Sequence, residues 1–382
     1  MQENTPLALY IHWPFCVSKC PYCDFNSHVR ASVDAAEWEA ALLADLAHEA
    51  ALLPGRTLSS IFFGGGTPSL MPPALVAKLI DAATRYWPPE ADIEITLEAN
   101  PSSVEAARFA DLSAAGVNRI SLGLQSLDDQ TLKFLGRAHS CDEGRAALAT
   151  AQQHFARTSF DLIYAVPGQT QAQWAAQLEQ ALGFGAAHMS LYELTIEEGT
   201  RFASDVRKGI FRPADDDTAG DLYMLTQQIM NDAQMPAYEI SNHARAGEES
   251  RHNLSYWRYH DYAGIGPGAH GRRLNYATQR HKKPENFLSA ISRNSHGLHS
   301  ETALDNDDQI TEALLMGLRL AQGLDLAALG KRFGRDIAQM VNLAEAEKLA
   351  SYGMLSLNDA RLTILPKGMP LLDAILPKIV AD

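Results

Sequence analysis

Short apolar runs alternate with longer alanine- and leucine-rich stretches through the first half of the chain. The runs that we predict as strands are Leu7–Ile11, Ser59–Phe63, Ile93–Leu97, Arg119–Leu124, Phe160–Ala165 and Met189–Leu194. The stretches with helical spacing between them include Ala36–Leu53, Pro73–Tyr86 and Val104–Ala115. Near-continuous apolar strands are typical of a parallel sheet that is covered on both faces. Successive strand–helix units therefore predict an α/β fold with helices outside a parallel sheet.

The number of units predicts how the sheet closes. The pattern supplies six units, two fewer than a closed barrel of this kind contains. We therefore predict a partial parallel (β/α)6 barrel. Polar groups that carry out chemistry in such folds lie at the carboxyl ends of the strands, so candidate site residues are expected there.

The pattern changes after residue 200. Residues from Arg201 to Arg293 show no regular repeat, and the polar segment Asn294–Asp308 is typical of a linker. From Gln309 onward the sequence predicts two helices and then a third helix over Ile337–Tyr352. A hairpin of Met354–Leu357 and Leu362–Leu365, turning at Asn358–Asp359, follows the third helix. We predict three parts: residues 1–200, an extension over 201–308, and a small winged-helix-like module over 309–382.

Composition narrows the function classes. Hydrophobic residues make up 46% of the 382 residues, which predicts a packed core. The formal net charge of -14 argues against a nucleic-acid or anionic-membrane partner, and Lys and Arg are not concentrated in the C-terminal module. Because no apolar run reaches the length of a membrane span and the N-terminus lacks a signal-peptide pattern, we expect a cytoplasmic protein.

Three of the four cysteines lie within eight residues, as Cys16, Cys20 and Cys23, directly after the first strand. This clustering indicates metal ligation in a reducing compartment rather than a disulfide framework. A [4Fe–4S] cluster normally takes four cysteines. If the distant Cys141 is not the fourth ligand, one iron keeps an open position. The alternative is structural zinc, with His12 or His28 completing the ligand set, and the spacing alone allows both.

Other candidate site residues follow the predicted strands. The run Phe-Gly-Gly-Gly-Thr-Pro at 63–68 exposes backbone groups to a ligand, although a tight turn also explains one glycine. Glu98 ends the third strand and Gln125 follows the fourth; a helix cap is the simpler explanation of Glu98. Asp161 lies inside a strand, where a buried charge needs a partner; Arg137 is a candidate partner, and a shared ligand contact is another.

The C-x3-C-x2-C spacing after a first strand, with the aromatic Tyr22 between the second and third cysteines, resembles the radical S-adenosylmethionine superfamily. The resemblance implies a [4Fe–4S] cluster on Cys16, Cys20 and Cys23, whose open iron binds the amino and carboxylate groups of S-adenosylmethionine. It also implies that the six-unit barrel is of the radical S-adenosylmethionine type. In the superfamily, an electron from the cluster breaks the sulfonium C–S bond and yields a 5'-deoxyadenosyl radical.

The resemblance extends along nearly the whole chain to the coproporphyrinogen dehydrogenase (HemN) branch of the superfamily. It implies two sets of contacts with S-adenosylmethionine. The contacts to the cluster-bound molecule are Tyr10, Gly65 and Glu98, with Tyr22 beside them, and those to a second molecule are Gly66, Thr67, Gln125, Arg137 and Asp161.

Two departures separate the sequence from the dehydrogenase. Phe25 stands where the dehydrogenase has a further cysteine, and only 15 residues precede Cys16. Both features are similar to the HemW group of haem chaperones. The segment His-Asn-Leu-Ser-Tyr-Trp at 252–257 is similar to the haem-associated motif of that group, which implies that His252, Tyr256 and Trp257 contact haem. His270 is the alternative iron ligand. The competing interpretation is a packed aromatic segment whose histidine bonds a backbone carbonyl.

The sequence thus predicts a protein that binds a [4Fe–4S] cluster, S-adenosylmethionine and haem. We expect it to deliver haem to haem-requiring proteins, with respiratory-chain components among the candidates. The cluster is then expected to control assembly or transfer rather than substrate turnover. Two alternatives stay open: an oxygen-independent coproporphyrinogen III dehydrogenase, and a non-catalytic protein with structural zinc. The oligomeric state is open as well, with a cluster-dependent dimer as one alternative.

Overall fold

A computed structural model of the chain describes residues 6–381. Its strands are β1 (Pro6–Trp13), β2 (Phe15–Cys16), β3 (His28–Val29), β4 (Thr57–Gly65), β5 (Pro89–Ala99), β6 (Arg119–Gln125), β7 (Arg157–Tyr164), β8 (His188–Glu193), β9 (Asn242–Ala244), β10 (Tyr262–Ile265), β11 (His270–Arg273), β12 (Tyr276–Arg280), β13 (Leu298–Ala303), β14 (Leu324–Asp325), β15 (Leu355–Asn358) and β16 (Arg361–Ile364). Its helices are α1 (Ala35–Leu52), α2 (Pro73–Tyr86), α3 (Ser103–Ala106), α4 (Phe109–Ala114), α5 (Asp129–Phe134), α6 (Cys141–His154), α7 (Gln171–Leu182), α8 (Arg201–Arg207), α9 (Asp216–Asp232), α10 (Arg251–Trp257), α11 (Pro284–Asn294), α12 (Asn306–Gly317), α13 (Leu326–Phe333), α14 (Ile337–Met340), α15 (Leu343–Ser351) and α16 (Leu372–Ile379). No helix within residues 6–381 is both long and apolar enough to cross a membrane.

The six predicted strands lie within the parallel part of an eleven-stranded sheet. They are β1, β4, β5, β6, β7 and β8, and they lie side by side in that order. Each neighbouring pair is parallel. The predicted α/β class and the partial barrel are therefore confirmed, and the carboxyl ends of all six strands meet at one edge.

The two faces of the parallel strands differ in polarity. Leu9, Ile11 and Phe63 point outward and belong to the main hydrophobic core. On the opposite face, Tyr10 lies against Phe62, and their ring centroids are 6.2 Å apart. Side chains alternate between faces along a strand, so the polar residues Glu98 and Asp161 share this inner face. The strands are covered on both faces, as expected, and the inner face surrounds a polar interior.

Residues 201–308 continue the same sheet, so their predicted irregularity is wrong. β9 pairs antiparallel with β8 at one edge, and β10 pairs parallel with β1 at the other. β11, β12 and β13 then add antiparallel strands. β13 occupies the middle of the predicted linker; its residues are mostly exposed, as expected of an edge strand that lacks an apolar face.

The C-terminal module has its own core. The predicted hairpin is confirmed as β15 and β16, although its turn lies one residue later, at Asp359 and Ala360, which both have positive φ. The predicted third helix is divided into α14 and α15, because Asn342 caps α15. β14 and α16 were not predicted. The hydrophobic core changes near the predicted domain boundary at residue 308. The main core, however, continues past the predicted boundary at residue 200 as far as Phe287. The three-part division therefore stays a prediction.

Candidate functional site

The cysteine loop connects β1 with α1 and is fixed by the strand beside it. Cys16 lies in β2, where the backbone N–H of Thr67 donates to the carbonyl of Phe15 at 2.9 Å. Beyond Cys20, the Pro21 carbonyl accepts from the N–H of Phe202 at 2.9 Å. Tyr22 packs on the Phe202 ring, with 6.3 Å between the ring centroids. These contacts hold all three cysteines at the edge of a cleft of about 430 Å³.

Polar side chains contact the sulfur atoms of the cysteine loop. Thr67 Oγ1 donates to Cys16 Sγ at 3.4 Å, and Arg137 Nη1 donates to Cys20 Sγ at 3.4 Å. Burial raises the pKa of the Cys16 and Cys23 thiols. Hydrogen bonds and a nearby cation favour the thiolate form that ligates metals.

Cys141 does not join the other cysteines. It begins α6, as the sequence predicts, and its backbone N–H donates to Asp129 Oδ1 at 2.8 Å. Burial, together with the neighbouring Asp129 carboxylate, raises the pKa of its thiol to about 12. Since it does not line the cleft, its position leaves three cysteines for one cluster.

The zinc alternative requires the cysteines and a histidine around one centre. The His12 ring nitrogens instead bond Tyr10 Oη at 2.9 Å and the Asn26 carbonyl at 2.9 Å. His28 Nε2 lies 3.3 Å from the Lys282 carbonyl. In the described part of the chain, no three Cys, His, Asp or Glu side chains are gathered around a single ion. Neither His12 nor His28 lines the cleft that the three cysteines share, so the structure does not place either histidine as a fourth zinc ligand.

The three-glycine turn after β4 lets two chain segments meet. Gly65 has φ +113°, and a Cβ there would lie 2.6 Å from the His12 ring. A Cβ on Gly66 would lie 2.8 Å from the Phe15 carbonyl oxygen and 3.0 Å from Cys16 Sγ. Any side chain at these positions would push the cysteine loop away. The glycine run is therefore required by packing against that loop as well as by its predicted contact with a ligand.

Glu98 and Asp161 place two carboxyl groups in the cleft. Glu98 Oε2 accepts the Gly65 N–H at 3.2 Å. Burial and the neighbouring Asp161 charge raise the Glu98 pKa to about 8. Burial also raises the Asp161 pKa to about 6, despite a hydrogen bond from Ser121 Oγ at 3.4 Å. Glu98 therefore holds a proton at neutral pH and can donate as well as accept.

Arg137 and Gln125 carry unused hydrogen-bonding capacity. Arg137 Nη2 donates to Asn100 Oδ1 at 2.7 Å and to the Gly123 carbonyl at 2.8 Å, and no ion pair between Arg137 and Asp161 is found within residues 6–381. Gln125 has φ 68°, which is uncommon for a residue other than glycine. Arg137 Nε and Gln125 Oε1 are buried without a partner among the described residues. Buried polar atoms are normally paired, so these two suit a polar ligand in the cleft.

Eight of the nine predicted S-adenosylmethionine contacts line this cleft. They are Tyr22, Gly65, Gly66, Thr67, Glu98, Gln125, Arg137 and Asp161. Tyr10 is the exception; its hydroxyl faces His12, behind the glycine turn. The chemistry of the lining, with carboxyl, guanidinium, amide and backbone groups, fits an amino-acid-bearing sulfonium such as S-adenosylmethionine.

The predicted haem motif lies on α10, which packs against the inner face of the sheet. His252 is buried; its Nδ1 lies 2.9 Å from Ser60 Oγ and its Nε2 lies 2.6 Å from Tyr256 Oη. Phe62 stacks on the His252 ring with 4.9 Å between centroids. The competing expectation of a carbonyl partner is wrong, because both partners are hydroxyls. In this conformation His252 has no nitrogen free for iron.

The alternative ligand is placed differently. His270 is exposed at the start of β11, and its Nε2 contacts Gln279 Nε2 at 3.1 Å. Trp257 Nε1 is buried without a partner in the part of the chain that the structure describes. The motif and His270 both lie outside the lining of the cysteine cleft.

Sequence reasoning missed two polar residues that organise the interior. Glu94 on β5 accepts from the backbone N–H groups of Arg251 and His252, at 3.2 and 3.1 Å, and thereby caps α10. Asn100 bonds both Thr67 and Arg137 in the cleft. Asn100 directly follows β5, so the rule that places site residues at strand ends would have found it.

Comparisons with known proteins identify the family of the chain. The radical S-adenosylmethionine superfamily model matches residues 10–181, and the HemN C-terminal domain model matches residues 304–371. The chain is 44% identical to the heme chaperone HemW of Escherichia coli (strain K12) over 71% of each protein. It is 35% identical to the heme chaperone HemW of Mycobacterium tuberculosis, covering 97% of this chain and 94% of the relative. The chain belongs to the HemW family of the radical S-adenosylmethionine superfamily.

Two further matches are a sequence relative and a solved structure. A relative in Mus musculus, named radical S-adenosyl methionine domain-containing protein 1, mitochondrial, is 37% identical over 98% of this chain and 87% of its own length. The solved structure of coproporphyrinogen III oxidase (HemN) from Escherichia coli superimposes with a TM-score of 0.83 at 23% identity, covering 98% of this chain and 90% of that one. The second likeness shows a shared fold.

Replacing Glu98 by Gln should change how stability depends on pH. The folded-state pKa of about 8 lies above the ordinary value of 4.5, so the folded protein keeps a proton that the unfolded chain has released. The stability of the wild type should therefore fall as pH rises from 4.5 to about 8. The Glu98→Gln variant should lose less stability than the wild type over the same pH interval. Urea midpoints of the reduced apo-protein across this range measure the difference.

The exposed Glu198 provides the control. Glu198→Gln should follow the wild-type profile throughout. A Glu98→Gln profile that also follows the wild type would contradict the raised pKa.

Proposed function

We propose that this protein is a haem chaperone that holds a [4Fe–4S] cluster on Cys16, Cys20 and Cys23 and binds S-adenosylmethionine in the adjoining cleft. The observation that carries the proposal is one cleft lined by three cysteines and by polar side chains from the ends of successive strands. The similarity to proteins named as heme chaperones supports haem as the cargo.

The residues of the cleft have separate tasks in this proposal. When bound, the cluster supplies the electron that can break the sulfonium C–S bond of S-adenosylmethionine. Glu98 and the backbone around Gly65 hold the polar groups of the first S-adenosylmethionine. Arg137 Nε and Gln125 Oε1 have no protein partner among residues 6–381. The first donates to a second ligand and the second accepts from it. Tyr22 excludes water beside the cysteines by packing on Phe202.

Phe25 supports the chaperone over the dehydrogenase. Its side chain is 58% exposed and lines the mouth of the cleft, where the sequence resemblance expects a cysteine in a decarboxylating enzyme. An exposed aromatic residue offers a flat apolar surface to a ligand but no thiol for radical chemistry. A haem chaperone needs an apolar surface for its ligand and does not need a thiol for radical chemistry.

The recipients of haem and the compartment are proposed from the sequence alone. We propose that haem-requiring proteins, including respiratory-chain components, receive the haem. The cytoplasmic location stays a prediction, as does a cluster-dependent dimer. The mouse relative is named as mitochondrial.

Anaerobic reconstitution tests the cluster. We expect about four irons per chain, and Cys16→Ser, Cys20→Ser and Cys23→Ser should each lose most of this iron. Cys141→Ser is the matched control, because this cysteine lies outside the cleft lining, and it should keep a full complement. Tight zinc without iron would contradict the cluster and support the structural-zinc alternative.

An activity assay separates the chaperone from the dehydrogenase. The reconstituted protein should bind haem but should not convert coproporphyrinogen III to its divinyl product when given S-adenosylmethionine and a reductant. Mass spectrometry of the porphyrinogen after anaerobic incubation measures this. Multiple turnovers would overturn the chaperone proposal and favour the dehydrogenase.

Haem titration of Tyr256→Phe tests whether His252 is the iron ligand. The Tyr256 hydroxyl occupies His252 Nε2 at 2.6 Å. If His252 binds iron, the variant frees this nitrogen and haem affinity should rise roughly two- to tenfold, the net value of one hydrogen bond. His252→Ala should then weaken binding.

The same titration examines the alternative ligand. His270→Ala should leave the affinity unchanged if His252 is the ligand. Loss of haem in His270→Ala, together with unchanged affinity in Tyr256→Phe, would transfer the assignment to His270.

A further inference from the structure

We infer that Asn100 is a positioning residue that sets the reduction potential of the cluster by holding two hydrogen-bond donors against its thiolates. The inference rests on the proposed cluster. Asn100 lies at the carboxyl end of β5, on the wall of the cleft.

A continuous chain of hydrogen bonds joins two of the cysteines through Asn100. Asn100 Nδ2 donates to Thr67 Oγ1 at 3.2 Å, and Thr67 Oγ1 donates to Cys16 Sγ at 3.4 Å. On the other side, Asn100 Oδ1 accepts from Arg137 Nη2 at 2.7 Å, and Arg137 Nη1 donates to Cys20 Sγ at 3.4 Å. One amide side chain therefore orients the donors to two sulfur atoms that are four positions apart in sequence.

The amide determines which way the Thr67 proton points. A hydroxyl has one proton and two lone pairs. Because Asn100 donates to Thr67 Oγ1, it occupies a lone pair and leaves the hydroxyl proton for Cys16 Sγ. Without Asn100, this hydroxyl can rotate to another acceptor in the cleft.

Asn100 is itself held in place. Its backbone N–H donates to Glu105 Oε2 at 2.7 Å. Glu105 is buried, and it also accepts from the hydroxyls of Ser69 and Ser102. Since α3 carries Glu105, the position of the amide is set by the backbone and not by the ligand.

These donors favour the reduced cluster. Reduction adds one negative charge, which spreads over the cluster and its thiolates. Hydrogen bonds to the sulfurs and a nearby guanidinium stabilise that charge, and hydrogen bonds to sulfur are among the factors that set cluster potentials. Loss of the amide should weaken both donor contacts, so the cluster should become harder to reduce.

The test is a reductive titration of the reconstituted protein with dithionite, followed by electron paramagnetic resonance. Asn100→Ala should shift the midpoint potential to a more negative value while the iron content stays at the wild-type level. Thr67→Val, which removes one donor and keeps the side-chain shape, should shift it in the same direction. If Asn100 acts through Thr67, the double variant should shift the potential by less than the sum of the two single variants.

Asn118→Ala is the matched control for a structural effect. Like Asn100, Asn118 uses both ends of its amide: Oδ1 accepts from the Ile95 N–H at 2.8 Å and Nδ2 donates to the Ile93 carbonyl at 2.7 Å. Its partners are backbone groups, and it lies outside the cleft lining. We expect it to lower the melting temperature and to leave the potential unchanged. This readout separates tuning of the cluster from loss of stability.

The outcomes distinguish this inference from the proposed function. A wild type that binds iron, with a potential that does not move in Asn100→Ala and Thr67→Val, would overturn the inference alone. A wild type without iron would overturn the proposed function and the inference together. If Asn100→Ala does not fold, an unshifted potential in Thr67→Val still rejects the inference.

Discussion

The alternation of side chains across the parallel sheet is the constraint on which the rest of the structure depends. Each strand directs apolar residues such as Leu9 and Phe63 outward to the helices, where their burial stabilises the fold. The intervening residues face inward, and among them are Glu98 and Asp161. Because neighbouring strands are parallel, all their carboxyl ends reach the same edge, and the polar residues of distant segments share one cleft.

The site also depends on the close approach of the glycine turn to the cysteine loop. Gly65 and Gly66 leave no space for a side chain against His12 and Cys16. This approach places Thr67 within hydrogen-bond distance of a sulfur atom. The burial of the carboxyl of Glu98 in the same region is unfavourable for its charged form. The fold accepts this cost where a polar ligand is expected, which is typical of functional sites.

The same architecture accommodates different functions, and the residues of the cleft decide between them. The likeness to coproporphyrinogen III oxidase, with a TM-score of 0.83 at 23% identity, concerns the fold. The function is argued from the site. Phe25 at the cleft mouth is the feature that directs our proposal toward haem binding without decarboxylation.

The sequence by itself determined the six parallel strands, the C-terminal hairpin and the cysteine set, because period, turn residues and ligand spacing are local properties. It did not show that residues 201–308 extend the sheet, since the exposed edge strand β13 has no apolar face to reveal it. Nor did it show that His252 meets Ser60, or that Asn100 meets Arg137. Such partners are distant in sequence and come together only when the sheet curves around its polar interior, so the tertiary structure alone decided them.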